Sequence, residues 1–234
     1  MKIRLLYFNL PQDAMISPIL VMTLLISSAI LVIPMSGILN AHAATSQPQL
    51  IPTSLYKVLG AKWWQYLLSV PPSTNPILDD NPCDSQQKGP FFYLVGTFGG
   101  SAERNCTIHQ GKSIFFPVVN VFATFDKNDP AVDTIAKLRK FVTDNINQAH
   151  DLQASLDGVN INLDNARAQS SPFPLKVPKD NILGGPEIAG TYLAIADGYW
   201  VGLKPLSVGE HTIHFFGKLQ NSDIGPVTYH ITIK

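Results

Sequence analysis

Asp197-Gly198-Tyr199-Trp200-Val201-Gly202-Leu203-Lys204-Pro205-Leu206-Ser207-Val208-Gly209-Glu210-His211-Thr212-Ile213-His214-Phe215-Phe216 decides the reading of the fold. Asp-Gly marks a turn, because glycine accepts the positive φ that tight turns need. Tyr199, Val201 and Leu203 then alternate with Trp200, Gly202 and Lys204, the period of a strand. Pro205 and Gly209 bound a reversal, and Thr212 to Phe216 make a return strand. Further out, Val227, Tyr229, Ile231 and Ile233 alternate with Thr228, His230 and Thr232, so the last strand has one apolar and one polar face. These features predict a sheet with one wet face.

Composition agrees with a β-rich chain. The 234 residues carry 17 basic and 17 acidic side chains, a formal net charge of zero. That balance argues against nucleic acid as a partner, since phosphate binding needs a basic surface. With 18 prolines and 16 glycines, loops and strands are favoured over a helical bundle. Nothing in the sequence calls for a cofactor.

The N-terminus reads as an export segment. Lys2 and Arg4 form a positive start, Ile16 to Ile33 is almost wholly apolar, and Ala41-His42-Ala43 offers the small-x-small pattern of a signal peptidase site. No Asp, Glu, Lys or Arg occurs between Asp13 and Lys57, so the same run is long enough to stay uncut as a membrane anchor. The organisation expected is therefore a signal peptide or N-terminal membrane anchor over residues 1–43, a linker over 44–53 and a single β-sandwich-like domain over 54–234. Membrane contact is expected only through the N-terminal segment, and a cell-envelope or polysaccharide partner suits such a location. The partner itself is not named by any motif.

Two cysteines fit an oxidising exterior, and Cys83 is expected to pair with Cys106. The alternative, a reactive or metal-binding thiol, lacks a Cys-x-x-Cys or Cys/His cluster. Asn105-Cys106-Thr107 matches a glycosylation sequon, though pairing of Cys106 would restrict access to it.

Within the body, Thr53 or Ser54 can cap a helix that runs to about Ser69 and stops at Pro71-Pro72. Leu55, Val58, Leu59, Trp63 and Leu67 give its buried stripe. Trp63 and Trp64 could stack on sugar rings, with Tyr199 and Trp200 as further ligand-binding candidates; the alternative is aromatic bulk sealing a sheet core. Phe91 to Val95 and Ser113 to Val119 read as strands covered on both faces, with Pro117 at an edge or a bulge. Asp129-Pro130 predicts a second helix running to about Ala149, inward at Ala131, Ile135, Leu138, Val142 and Ile146. Asp157-Gly158 between two alternating runs predicts a hairpin. Asn165 to Ser171 reads as a polar connection, Phe173 to Val177 as an edge strand, and Asp180 or Asn181 as the start of a helical turn. The fold class expected is mainly β: an antiparallel β-sandwich with one N-terminal amphipathic helix and one inserted helix.

Several segments resemble an uncharacterised family of exported bacterial and archaeal proteins. They are Trp63-Trp64-Gln65-Tyr66 with Ser69-Val70-Pro71, Gly96-Thr97-Phe98-Gly99-Gly100, Gly111-Lys112 with Phe115-Phe116-Pro117, Ala196-Asp197-Gly198-Tyr199-Trp200, and Gly209-Glu210-His211-Thr212-Ile213. The resemblance spans most of the chain beyond Gly60 and implies export, with no chemistry attached. Separately, Gly209-Glu210-His211-Thr212-Ile213 with the final Val-x-Tyr-x-Ile pattern is similar to the closing strands of bacterial immunoglobulin-like surface domains.

The sequence lacks a Gly-x-Ser-x-Gly elbow, a His-Glu-x-x-His pair, a phosphate loop and a dinucleotide fingerprint. Asp79-Asp80, Glu103, Glu187, Asp197 and Glu210 could supply a carboxylate pair for a carbohydrate-active hydrolase. His214 and His230 would share one polar face if their strands pair, within reach of one metal ion. His211, three residues from His214, would point the other way. The reading favoured over hydrolase and metal binder is an exported, non-catalytic surface module, structural or binding.

Overall fold

The computed structural model describes residues 47–78 and 81–234. The export segment, the first part of the linker and Asp79-Asp80 lie outside the described residues. In chain order the elements are α1 (Tyr56–Ser69), β1 (Phe91–Tyr93), β2 (Gly100–Ile108), β3 (Ser113–Thr124), α2 (Ile135–Ile146), β4 (Ala149–Leu156), β5 (Val159–Asn160), β6 (Arg167–Gln169), β7 (Phe173–Val177), β8 (Gly190–Leu203), β9 (Gly209–Leu219) and β10 (Ser222–Ile233). Among the described residues the strands form two five-stranded sheets. One runs β1-β3-β8-β6 with β7 also on β8; the other runs β2-β10-β9-β4-β5. The fold is mainly β, a sandwich. Its pairs are antiparallel except β1 with β3 and β2 with β10, which are parallel.

The first sheet is covered on both faces. Phe115, Phe122, Ala196 and Trp200 face α1 and share a core with its Trp63, Leu67 and Leu68. Ile114, Phe116, Ile195 and Val201 face the second sheet and meet Ile213, Phe215, Tyr229 and Ile231. Leu138, Val142 and Ile146 of α2 close the part of that same core. Double coverage explains why β3 reads as a continuous apolar run. The second sheet keeps an outer face to water, so β10 alternates as its sequence predicts.

α1 is held by packing, since nine of its fourteen residues are buried. Its stripe differs from the one expected: Leu55 and Val58 are 41% and 50% exposed. Tyr56, Leu59, Trp63 and Leu67 are inward instead. The contact that sets this rotation is Gly60, where a Cβ would stand 2.9 Å from the Trp200 ring. Only glycine lets the helix approach that closely. Val70 turns extended before the two prolines. Asn75 then donates to the Leu67 and Val70 carbonyls at 2.8 and 2.9 Å, completing the helix end.

Other boundaries move too. α2 begins at Ile135 with Thr134 as its cap, whose Oγ1 accepts from Lys137 N–H at 3.2 Å. Asp129 shapes a separate turn, accepting from Ala131 N–H and sitting 1% exposed. The polar connection after Asn165 contains the short strand β6, paired with Tyr199 to Asp197. Near Asp180 there is no helical turn; a short 3-10 turn lies later, at Pro186–Ile188. Pro117 does fall at a bulge, where the register against β8 shifts between Pro117 and Val119. The β4–β5 hairpin turns at Asp157-Gly158, with φ of 51° and 78°, as a two-residue turn requires.

The opening stretch needs two corrections. Asp197-Gly198 is no turn; both residues lie inside β8. Glycine is needed there because a Cβ at 198 would stand 2.7 Å from Asn120 Cβ and 2.9 Å from the Val119 carbonyl, at the bulge. Nor do the two strands on either side of Pro205 pair as a hairpin. β8 belongs to the first sheet and β9 to the second, so residues 204–208 cross the gap of about 10 Å between packed sheets.

Candidate functional site

The disulfide comes first, because it fixes the region where the N-terminal half meets the second sheet. Cys83 and Cys106 are bonded, with Cα atoms 5.8 Å apart and a sequence separation of 23. Cys106 faces inward on β2, buried; Asn105 and Thr107 stand on the opposite, exposed face. The sequon asparagine is thus presented to solvent, away from the bridge that was expected to hinder it.

The aromatic candidates form a core. Trp63, Trp64 and Trp200 are 2%, 7% and 1% exposed. Trp63 packs edge-on against both other indoles, at centroid distances of 5.0 and 5.9 Å. Its Nε1–H donates to the Leu94 carbonyl at 2.8 Å, and that of Trp200 to Ala168 at 3.1 Å. Indoles so enclosed offer no face on which a sugar could stack. Tyr199 is half-buried and packs on the opposite side of its strand, against the inter-sheet core. The four aromatics therefore do not make one platform.

Register aligns the histidine pair. Thr228 lies opposite His214 and His230 opposite Thr212, so both imidazoles stand on the outer face of the second sheet, diagonal neighbours. Each has another partner. His214 Nδ1 is 3.1 Å from Thr228 Oγ1, and His230 Nε2 is 2.8 Å from Glu103 Oε1. Among the described residues no three His, Cys, Asp or Glu side chains come together as a metal site. The acidic candidates are likewise dispersed. Glu103 meets His230, Glu210 accepts from Thr232 at 2.9 Å, Glu187 sits on the 3-10 turn, and Asp197 is in the other sheet.

Asp197 is a structural anion. Its side chain is buried beneath Arg167, which donates through Nε and Nη2 at 3.4 and 3.1 Å. Gln169 adds a third donor at 3.2 Å and also reaches Thr143 on α2. Burial pulls the Arg167 guanidinium down, but the hydrogen bond and charge of Asp197 outweigh it and leave it above its usual value. The network ties α2 to β6 and β8.

A second cluster was not anticipated. His211 lies on the inward-facing side of β9, opposite Ile231, at the end of the sandwich. Its Nδ1 is 2.7 Å from Asp157 Oδ2, and its Nε2 is 3.0 Å from the Ser207 carbonyl and 3.3 Å from Ser207 Oγ. Asp157 Oδ1 accepts from Thr212 N–H at 2.7 Å. Burial lowers the imidazole; Asp157, the Ser207 carbonyl and the charge of Glu210 together raise it further, leaving it above its usual value. Separate positions on two connections hide this cluster from sequence spacing. The one local hint was Ser207 and His211 standing four apart across a strand start.

No protein-family model matches the chain, and no curated protein matches it. The crystal structure of a cysteine protease inhibitor from Entamoeba histolytica is similar at 12% identity, with a TM-score of 0.25, over 62% of this chain and 96% of that one. A likeness that slight assigns neither fold nor function.

Proposed function

We propose that the protein is an exported module of the cell surface or extracellular space, delivered by its N-terminal segment, with a structural or binding role. The observation that supports this most is the Cys83–Cys106 bridge, since disulfides persist outside the reducing cytosol. The similarity of its closing strands to bacterial immunoglobulin-like surface domains agrees with that placement. The outer face of the second sheet, carrying Glu103, Asn105, His214, Thr228 and His230, is the polar surface available to an envelope or polysaccharide partner. Differential alkylation of intact cells with a membrane-impermeant thiol reagent, before and after reduction, tests the placement. The expected result is that both cysteines become labelled only after reduction, in a fraction that surface protease removes. Free thiols in a protease-protected cytosolic fraction would sink the proposal.

A further inference from the structure

Ser207, His211 and Asp157 hold the hydrogen-bond order of a nucleophile, a base and the carboxylate that orients it. Ser207 Oγ is 3.3 Å from His211 Nε2, and His211 Nδ1 is 2.7 Å from Asp157 Oδ2. We propose that these three residues form a nucleophilic serine centre that accepts acyl groups from small carboxylic esters. This goes beyond the structural or binding role above and does not rest on it.

The carboxylate decides the tautomer. Asp157 accepts only, so Nδ1 must carry a proton, and a neutral His211 has its lone pair on Nε2. That lone pair faces Ser207, where Oγ–H can donate to it. Asp157 is itself held in place: its Oδ1 accepts from Thr212 N–H at 2.7 Å, and its own N–H donates to the Thr212 carbonyl at 2.8 Å. With 13% of its side chain exposed, the imidazole is sheltered but not sealed from solvent. The Ser207 carbonyl, 3.0 Å from the same nitrogen, only accepts, so it is a partner of Nε2–H in the protonated state alone. The serine is then unactivated. The acidic groups around the ring are Asp157 from the β4–β5 turn and Glu210 from β9, and both favour that protonated state.

The chemistry follows the general scheme of base-assisted acyl transfer. Ser207 Oγ attacks the ester carbonyl carbon as its proton passes to Nε2. The tetrahedral adduct collapses, the alkoxide leaves with that proton, and the acyl group remains on Ser207. Water then attacks the acyl carbon, giving its proton to Nε2, and the carboxylic acid departs as the serine is restored. In this scheme the adduct's oxyanion would take its donors from the Ser207 and Val208 amides, neither of which meets a backbone acceptor among the described residues. Val208, 61% exposed beside the serine, offers apolar contact to a small acyl or aryl group.

The test uses the folded, disulfide-bonded protein, a fluorophosphonate probe and p-nitrophenyl acetate, with peptide mapping of the labelled site. Labelling is expected on Ser207, to be absent in Ser207→Ala, and to fall on the order of 10²-fold in His211→Gln. It should rise with pH as His211 loses its proton, above about pH 6.5. Ser207 is exposed and its hydroxyl makes one long contact, to His211, so Ser207→Ala should leave the melting temperature close to the parent's. The wild-type pH profile provides a test that does not depend on how His211→Gln folds. An unlabelled Ser207 in folded protein at about pH 9 would overturn the proposal, as would a pH-independent rate.

Discussion

Replacing Trp63 with alanine tests whether the tryptophans are core or platform. The side chain is 2% exposed, touches Trp64 and Trp200, and donates a hydrogen bond to the Leu94 carbonyl. A buried Trp→Ala change costs about 3–5 kcal/mol through lost transfer energy and a residual cavity. Leaving the Leu94 carbonyl unpaired adds about 1–3 kcal/mol if no water reaches it. For a domain of this size each kcal/mol moves the melting temperature by roughly 2–4 °C, so a fall of at least ~6 °C is expected. A milder pair sharpens the argument. Trp63→Phe keeps an aromatic ring but loses the hydrogen bond, whereas the Trp64 Nε1–H is buried without a partner. Trp64→Phe should therefore cost less than Trp63→Phe, by about 1–2 kcal/mol. Urea unfolding with the disulfide intact, followed by tryptophan fluorescence and far-UV circular dichroism, measures all three. The reasoning fails if Trp63→Ala unfolds like the parent but no longer binds immobilised polysaccharide.

Four further outcomes follow from the same structure. Reducing Cys83–Cys106 should lower stability by about 3 kcal/mol, measured by denaturation with and without reductant, without unfolding the protein outright. Asp197→Ala should cost about 1–3 kcal/mol by urea titration; the value stays moderate because Arg167 is 32% exposed and water can screen it. Gly198→Ala should be destabilising by about 1–3 kcal/mol through its clash with Asn120, and a parent-like melting curve would contradict the packing described. His211 is held above its usual value by Asp157 and Ser207 despite burial, so its contribution is fully present below about pH 6.5 and disappears as pH rises through the folded value. The stability gap between the parent and His211→Gln should accordingly narrow on the alkaline side, and a gap that widens there would reverse the assignment.

What the chain determines by itself is what local periodicity can carry. Alternation in Val227 to Ile233 reports a strand with one wet face wherever that strand sits. The runs around Asp157-Gly158 report a hairpin, since positive φ at both central residues is a local demand. Leu138, Val142 and Ile146 mark a helical face, and two cysteines in an otherwise metal-poor sequence point to each other. The second Asp-Gly shows where this kind of reading ends. At 197–198 the same dipeptide continues a strand, because Arg167 neutralises the aspartate and Asn120 crowds the glycine. Both neighbours are distant in sequence, and nothing within the dipeptide announces them. The pairing of β9 with β10 and β4, not with β8, is also a tertiary outcome: two covered faces on β8 leave the next strand more apolar area to bury in the facing sheet. Burial of Trp63 and Trp200, and the meeting of Asp157, Ser207 and His211, are decided in the same way. Side-chain chemistry is written in the sequence, but proximity between separate connections exists only once the two sheets have packed.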